Sequence, residues 1–327
     1  MKLGTEEPFV SIIIPTHNSE KTIEKCLESI FNINYPREKF EVILIDDSSD
    51  STPIIAQRFP VVLYTLKAKP GKKRNFGVKN AKGTIIAFID DDCFVTKDWL
   101  YEIVRSFRSP DIGSVGGPNL TPPDDKLLGK CLGIVLSSNI GSGGLRYARI
   151  YNEERFVDHN PTCNCAVVKK YFQEVGGFRE DIWPSEDVEF DIRLRKAGYK
   201  LLYNPRAIVW HKRKDTFKDI FKMIFRYGRN RVKISRIHRE ALKPIHVLPS
   251  VAFLLYCFSL TLAFLQVKHF FELSTLLTIT YFAPIFIYSI RVIKRKLSML
   301  PLLIVTFCLV HLAWALGFII GVLDEIK

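Results

Sequence analysis

Three short polar clusters each follow an apolar run of the chain: Pro15-Thr16-His17-Asn18 after residues 9–14, Asp46-Asp47 after 40–45, and Asp90-Asp91-Asp92 after 84–89. A ligand carrying a diphosphate would be repelled by such carboxylates unless a divalent cation stood between them. Mg2+ and Mn2+ suit that task, because they take oxygen ligands and bind through one or two carboxylates together with phosphate oxygens. Asp90 and Asp92 have the Asp-x-Asp spacing that suits such an ion, one strand after Asp46-Asp47. The same spacing also describes an acidic turn capping the next helix; its place behind an apolar strand favours the ion. Further on, Pro184-Ser185 precedes Glu186-Asp187 at the start of a helical pattern. An acid there complements the helix dipole by a few tenths of a kcal/mol.

The elements that would position these groups follow from the apolar pattern. Residues 9–14, 40–45, 61–66 and 84–89 read as buried parallel strands. Between them Ser19 caps a helix with Ile23, Leu27, Ile30 and Phe31 at helical spacing, a short helix follows Asp47, and residues 71–82 form a helix stopped by Gly83. Strands alternating with helices predict an α/β fold, a parallel sheet covered on both faces. In open sheets of that kind the ligand lies outside the carboxyl ends of the strands, where all three clusters fall. Beyond them, 112–117 and 162–168 read as strands, 127–145 as a loop or an interfacial helix, and 186–197 as a helix stopped by Gly198. Residues 199–203 and 208–210 are short strands, with His211 ending the second.

The remainder has a different composition. Apolar stretches at 247–267, 273–290 and 297–323 each approach the roughly 20 residues that cross a bilayer. The formal charge of +13 gathers beside them, with 17 Lys and Arg against 6 Asp and Glu from Arg213 onward. A basic segment beside an apolar span reads as a membrane-surface patch, worth roughly 1 kcal/mol per Lys or Arg near anionic lipid. Within it, Phe217, Ile220, Phe221, Ile224 and Phe225 form a helical apolar stripe, suited to lie in the interface or to pack on the preceding domain. A nucleic-acid partner is not expected, because the charge abuts an apolar tail and lacks interleaved stacking aromatics. The basic loop 291–296 places itself, and residues 1–246 two spans earlier, on the cytoplasmic side of the cell membrane in a multi-pass arrangement, with Asp324-Glu325 outside. The opening MKLGTEEPF carries acids and leads into a strand, not a signal-peptide pattern. Seven cysteines without zinc-type spacing read as free thiols. Three regions are expected: a catalytic domain at 1–212, a basic amphipathic juxtamembrane segment at 213–246, and a transmembrane region of about three helices at 247–327.

The segments VSIIIPTHNSEKTIEKCLESI, EVILIDDSSDST and GKKRNFGVKNAKGTIIAFIDDDC, then NCAVVKKYFQEVGGF and SEDVEFDIRLRKAGYKLLYNPRAIVWH, resemble a family 2 glycosyltransferase of the GT-A fold over most of residues 8–212. The resemblance implies a Rossmann-like nucleotide-binding domain and an inverting, metal-dependent transfer from a nucleotide-sugar, UDP- or GDP-linked, with Mg2+ or Mn2+ as cofactor. It implies that Pro15, Thr16 and Asp47, with Asn18 and Asp46 close by, contact the nucleobase and ribose. Arg74 would sit near the base or phosphate, and Asp90 and Asp91 against the ribose. Asp92 would bind the metal, His211 would be a further metal or diphosphate ligand, and Asp187, beside Glu186, would be the catalytic base. Processive polysaccharide synthases carry a Gln-x-x-Arg-Trp motif where this chain has Phe225-Arg226-Tyr227-Gly228-Arg229-Asn230-Arg231. The departure favours the subgroup that adds one sugar to a lipid-linked acceptor of the polyprenyl type, with a processive synthase as the alternative. Arg226, Arg229 and Arg231 then hold either the diphosphate of donor or lipid carrier, or lipid headgroups.

Overall fold

The computed structural model describes residues 7–143, 150–294 and 296–324. It separates into two units, Met1–Pro122 with Arg146–Lys212, and Pro123–Leu145 with Arg213–Lys327. The stretch read above as a loop or interfacial helix thus belongs with the C-terminal helices.

The first unit is built on a sheet whose strands are β1 (Val10–Thr16), β2 (Phe40–Asp46), β3 (Val62–Thr65), β4 (Ile85–Phe88), β6 (Ile112–Gly116), β8 (Arg155–Val157), β9 (Cys165–Val168) and β10 (Lys200–Tyr203). They stand in the order β3-β2-β1-β4-β9-β6-β10-β8. Along β1 the side chains alternate between two cores. Ile12 and Ile14 pack with Leu27, Leu44 and Trp99, and Ile13 packs with Ile43, Phe88, Phe178 and Phe190. That period of two with both faces apolar is why these strands read as uninterrupted hydrophobic runs.

The expected all-parallel sheet is corrected at two places. β9 runs antiparallel between β4 and β6, and β8 is antiparallel at the edge beside β10. From β8 the chain enters β9 through a single 3-10 turn, Thr162–Asn164, and a parallel partner would need a long return. A second, small sheet, β5 (Cys93–Val95), β11 (Val209–His211) and β7 (Asn119–Leu120), is ordered β5-β11-β7. Its register sets His211 opposite Cys93.

Three helices of this unit matter for the site. α1 (Ile23–Phe31) buries Ile23, Cys26, Leu27 and Ile30. α3 (Pro70–Asn80) lies close on the sheet at Gly77, where a Cβ would come within 2.7 Å of Ile13 and 2.9 Å of Ile45. Only glycine allows that approach, which brings Lys73 and Arg74, one turn earlier, under the strand ends. α8 (Glu186–Lys196) starts after Ser185, whose φ of 82° is left-handed. The remaining helices here are α2 (Thr52–Ala56), α4 (Trp99–Arg105) and α7 (Lys169–Glu174).

The second unit holds α5 (Leu127–Ser137), α6 (Asn139–Ser142), α9 (Phe217–Ile237), α10 (Pro244–Phe264), α11 (Phe270–Ile293) and α12 (Leu300–Asp324). Three stretches, Pro244–Phe264, Phe270–Ile293 and Leu297–Asp324, are long and apolar enough to cross a membrane. Large apolar side chains along α10 and α11 are exposed, among them Leu248, Phe258, Phe271, Leu276 and Ile279. Such a surface is at home in hydrocarbon. The apolar side of α9 has a partner in α12. A Cβ on Gly317 would meet the Phe225 carbonyl at 2.1 Å, one on Gly228 the Trp314 carbonyl at 2.5 Å, and one on Gly321 the Arg229 carbonyl at 2.8 Å. Small residues are letting two helix backbones touch, and Ile220 and Ile224 of α9 are buried.

Candidate active site

The carboxyl ends of β1 and β2 are in register, Thr16 opposite Asp46. Thr16 Oγ1 donates to Asp46 Oδ1 at 2.7 Å, and Ser48 donates to both Asp46 oxygens, from its hydroxyl at 2.6 Å and its N–H at 3.1 Å. Asp46 is buried and fully engaged as a brace between the strands. Pro15, opposite Ile45, is buried in β1. Asn18 adopts a left-handed φ of 53°; its N–H donates to Ser48 Oγ at 2.7 Å and its Oδ1 accepts from Ser49 N–H at 2.9 Å. It therefore ties the β1 loop to the β2 loop.

Asp47 lies one residue further out. Lys73 Nζ reaches it at 2.6 Å and His17 Nδ1 at 2.7 Å, while Lys73 also donates to the Thr16 carbonyl at 2.6 Å. Lys73 itself is 2% exposed. Burial acts to raise the Asp47 carboxyl, and the Lys73 and His17 hydrogen bonds more than offset it, leaving Asp47 below its ordinary value.

After β4 the three aspartates diverge. Asp91 accepts from the Ser19 hydroxyl and, at 3.2 Å, from the His17 N–H. Burial, reinforced by the Asp92 charge, pushes it to about 7. Asp90 accepts from Arg74 Nη2 at 2.7 Å, and the other end of the same guanidinium, Nη1, binds Glu186 Oε1 at 2.7 Å. Arg74 is 3% exposed and Glu186 4%, so the residues after β4, α3 and α8 are joined by an acid–base–acid bridge that is buried at Arg74 and Glu186. Burial raises Glu186 to about 7, against the pull of Arg74 and with help from the neighbouring Asp187 charge.

Asp92 faces His211, with Oδ1 to Nε2 at 3.3 Å. The β5–β11 register sets the imidazole there, and Lys212 N–H donates to the Asp92 carbonyl at 3.0 Å. Ligand atoms of Asp92, Cys93 and His211 lie within 4.8 Å of one another. A carboxylate oxygen and an imidazole nitrogen 3.3 Å apart fit adjacent ligands of a small divalent cation, each at roughly 2.0–2.2 Å from it. Burial alone would lower the His211 imidazole, but the Asp92 charge, with Cys163, raises it to about 10. Behind it lie the buried thiols of Cys93 and Cys163, the latter accepting from Asn119 Nδ2 at 3.3 Å.

Asp187 differs from its neighbour Glu186. Its side chain is 18% exposed. Oδ1 accepts the Val188 N–H at 2.8 Å, and Oδ2 the Thr162 N–H at 3.4 Å. The imidazole of His159 stands 3.8 Å from Oδ2 and is itself held by Asp191. Neither His159 nor Asp191 was singled out from the sequence. The available signal was an acid four residues after Asp187 on the same helix face, one turn inside a helix where burial demands a partner.

The remaining candidates, Arg226, Arg229 and Arg231, stand on α9 of the second unit. Arg226 and Arg229 are exposed and Arg231 half-buried. Arg229 Nε pairs with Asp324 on α12 at 2.6 Å, and Arg231 Nη1 donates to the Ala241 carbonyl at 3.4 Å.

Residues 11–176 match the profile of "Glycosyl transferase family 2". Glycosyltransferase AglE of Haloferax volcanii is 29% identical over 255 residues, covering 74% of this chain and 79% of that protein. The dolichyl N-acetyl-alpha-D-glucosaminyl phosphate 3-beta-D-2,3-diacetamido-2,3-dideoxy-beta-D-glucuronosyltransferase of Methanococcus voltae is 26% identical over 332 residues, 96% of this chain and 98% of its own. Among solved structures, the mannosyltransferase PcManGT from Pyrobaculum calidifontis, in complex with GDP-Man and Mn2+, superposes with a TM-score of 0.56 at 17% identity over 89% of each chain. S. aureus TarS 1–349 in complex with UDP-GlcNAc gives 0.52 at 18% identity over 95% of this chain and 90% of its own. At those identities the structural likeness speaks to the fold, which is GT-A.

Proposed function

The chain belongs to glycosyl transferase family 2, and we propose that it transfers one sugar, with inversion, from a UDP- or GDP-linked donor to a polyprenyl-linked acceptor at a membrane. The observation that carries the reading is the division of labour among the acids at the strand ends. Asp90 and Glu186 are spent on Arg74, and Asp46 on its own loop. Asp92 with His211, and Asp187, are left with chemistry to do. The lipid acceptor is supported by the three long apolar helices and by the Methanococcus voltae transferase, which is similar over nearly its whole length and whose name specifies a dolichyl N-acetyl-alpha-D-glucosaminyl phosphate.

Asp92 and His211 would hold a divalent cation, Mg2+ or Mn2+, which supplies positive charge to the departing diphosphate. The loops after β1 and β2 would receive the nucleoside. Asp47 is held ionised by Lys73 and His17 to accept ribose or base hydrogen bonds, while Thr16, Asn18 and Asp46 keep the two loops in register. Arg74 would act from below, fixing Asp90 against α8. Asp187, at the N-terminus of α8, would take the proton of the acceptor hydroxyl as the new glycosidic bond forms and the anomeric carbon–oxygen bond to diphosphate breaks. The basic residues of α9 and of the loop before α12 would face anionic headgroups on the cytoplasmic side of the cell membrane.

The test uses the full chain in detergent or vesicles with labelled nucleotide-sugars and extracted membrane lipid. One organic-soluble product, one residue longer than the acceptor, is expected. Equal transfer to a water-soluble sugar without a lipid would overturn the acceptor assignment, and a ladder of long products would replace it with a processive synthase.

A further inference from the structure

Behind Asp187 stand two side chains, His159 and Asp191, that the transfer chemistry above does not use. His159 Nδ1 is 2.7 Å from Asp191 Oδ2, and that same oxygen accepts the Asn160 N–H at 2.7 Å. His159 Nε2 points the other way, 3.8 Å from Asp187 Oδ2. Asp191 is 1% exposed, so water cannot compete for its hydrogen bonds.

The tautomer follows from the partners. A backbone N–H can only donate, so Asp191 Oδ2 is an acceptor, and an ionised carboxylate is the best one. Nδ1 of His159 must then carry its proton toward Asp191. In the neutral imidazole this leaves the Nε2 lone pair directed at Asp187. Asp187 and Asp191 on α8 flank the ring, and the adjacent Asp158 is paired to Arg195 at 3.9 Å. The opposing charges are Arg195, paired to Asp158, and Arg74, whose charge acts on Asp187; the carboxylates of Asp191 and Asp187 stand 2.7 and 3.8 Å from the ring nitrogens.

We propose that His159 is a positioning residue that receives the acceptor's proton from Asp187 and is itself oriented and charge-compensated by the buried Asp191. The inference rests on Asp187 being the base. The proton balance is complete without a further reagent. The acceptor oxygen bonds to the anomeric carbon, and the bond to the diphosphate oxygen breaks with its electron pair. The hydroxyl proton passes to Asp187 Oδ2 and then to His159 Nε2, and Asp191 stabilises the imidazolium until water removes the proton. Handing the proton on to the imidazole returns Asp187 to its ionised form within the same turnover. The 3.8 Å separation is longer than a hydrogen bond, as such contacts often are before substrate binds.

Two substitutions separate a relay from a structural strut. His159→Asn keeps an N–H where Nδ1 stood, so it preserves the bond to Asp191 and the loop, but has nothing at the Nε2 position. His159→Gln is the second variant. With the full chain in detergent, both are expected to lower kcat at least tenfold with the donor KM unchanged, and to shift the acidic limb of the kcat–pH profile toward lower pH. In an Asp187→Asn background, itself slowed by roughly 10²-fold or more, neither should cost anything further, because the relay has lost its source. Normal kcat and profile in His159→Asn, or losses that simply multiply with Asp187→Asn, would overturn the relay. If Asp187→Asn itself turned over normally, the base assignment would fail first, a result distinct from failure of the relay.

Discussion

The bridge from Asp90 through Arg74 to Glu186 makes a prediction whose size can be worked from the structure. Arg74→Met removes the guanidinium but keeps most of the side-chain volume. Two hydrogen bonds of 2.7 Å are lost. Breaking a buried ion pair by deleting one partner costs about 3–5 kcal/mol, because the remaining charge stays desolvated. Glu186 carries most of that cost, since its side chain is 6% exposed. Asp90, at 30%, is partly screened by water and adds little. In a unit of this size each kcal/mol moves the unfolding midpoint by about 2–4 °C, so a fall of roughly 6–20 °C is expected.

The loss has a pH signature. Burial already lifts the Glu186 carboxyl to about 7 with Arg74 in place, and without the guanidinium it rises further. A carboxyl raised above its unfolded value weakens the fold as pH climbs toward the folded value, because the unfolded chain gives up the proton first. The gap between variant and wild type should therefore be small near pH 5 and open above pH 7. Adding Glu186→Gln to Arg74→Met removes the stranded charge and should recover much of the loss at pH 8. Thermal unfolding of the full chain in detergent, followed by tryptophan fluorescence, reports on this unit through Trp99, which is fully buried with its Nε1 donating to Asn164 Oδ1 at 2.9 Å. A loss under about 1 kcal/mol in the single variant, or a double variant no more stable than the single at pH 8, would refute the reasoning.

Three further outcomes are expected. Asp92→Asn should weaken Mn2+ binding, measured directly by electron paramagnetic resonance of the free ion, and abolish turnover while the circular dichroism stays unchanged; full activity in excess chelator would remove the metal from the mechanism. Gly317→Val places side-chain atoms where even a Cβ would lie 2.1 Å from the Phe225 carbonyl, so α9 and α12 must separate, and overpacking of that kind costs about 1–3 kcal/mol; an unfolding midpoint unchanged in detergent would show that these helices do not need to touch. A reporter fused after the last residue should be reached by impermeant reagents in intact cells, whereas one inserted in the 291–296 loop should not, and the reverse pattern would invert the proposed orientation.

What the chain disclosed in one dimension was whatever depends on neighbours in sequence. The runs ending at Pro15, Asp46 and Asp90 are apolar because β1, β2 and β4 are covered on both faces, and a polar cluster after each can only lie at a strand's carboxyl end. The direction of β9 could not be read that way. Four residues, Cys165–Val168, look the same in either orientation, and the choice depends on where the preceding 3-10 turn delivers the chain. The distinction between Glu186 and Asp187 was hidden for a related reason. Both sit in the first turn of α8, and only the partner 112 residues away, Arg74, consumes one and leaves the other. His159 and Asp191 are likewise brought together across 32 residues. The stripe on α9 was legible from helical spacing, but its partner was not, although Gly317 and Gly321, four apart in an otherwise bulky apolar helix, mark a face shaped for close helix contact. Local pattern thus locates where chemistry can happen. The proposed choice among the carboxylates rests on long-range pairs: Asp90 and Glu186 are tied to Arg74, whereas Asp92 stands beside His211 and Asp187 beside His159.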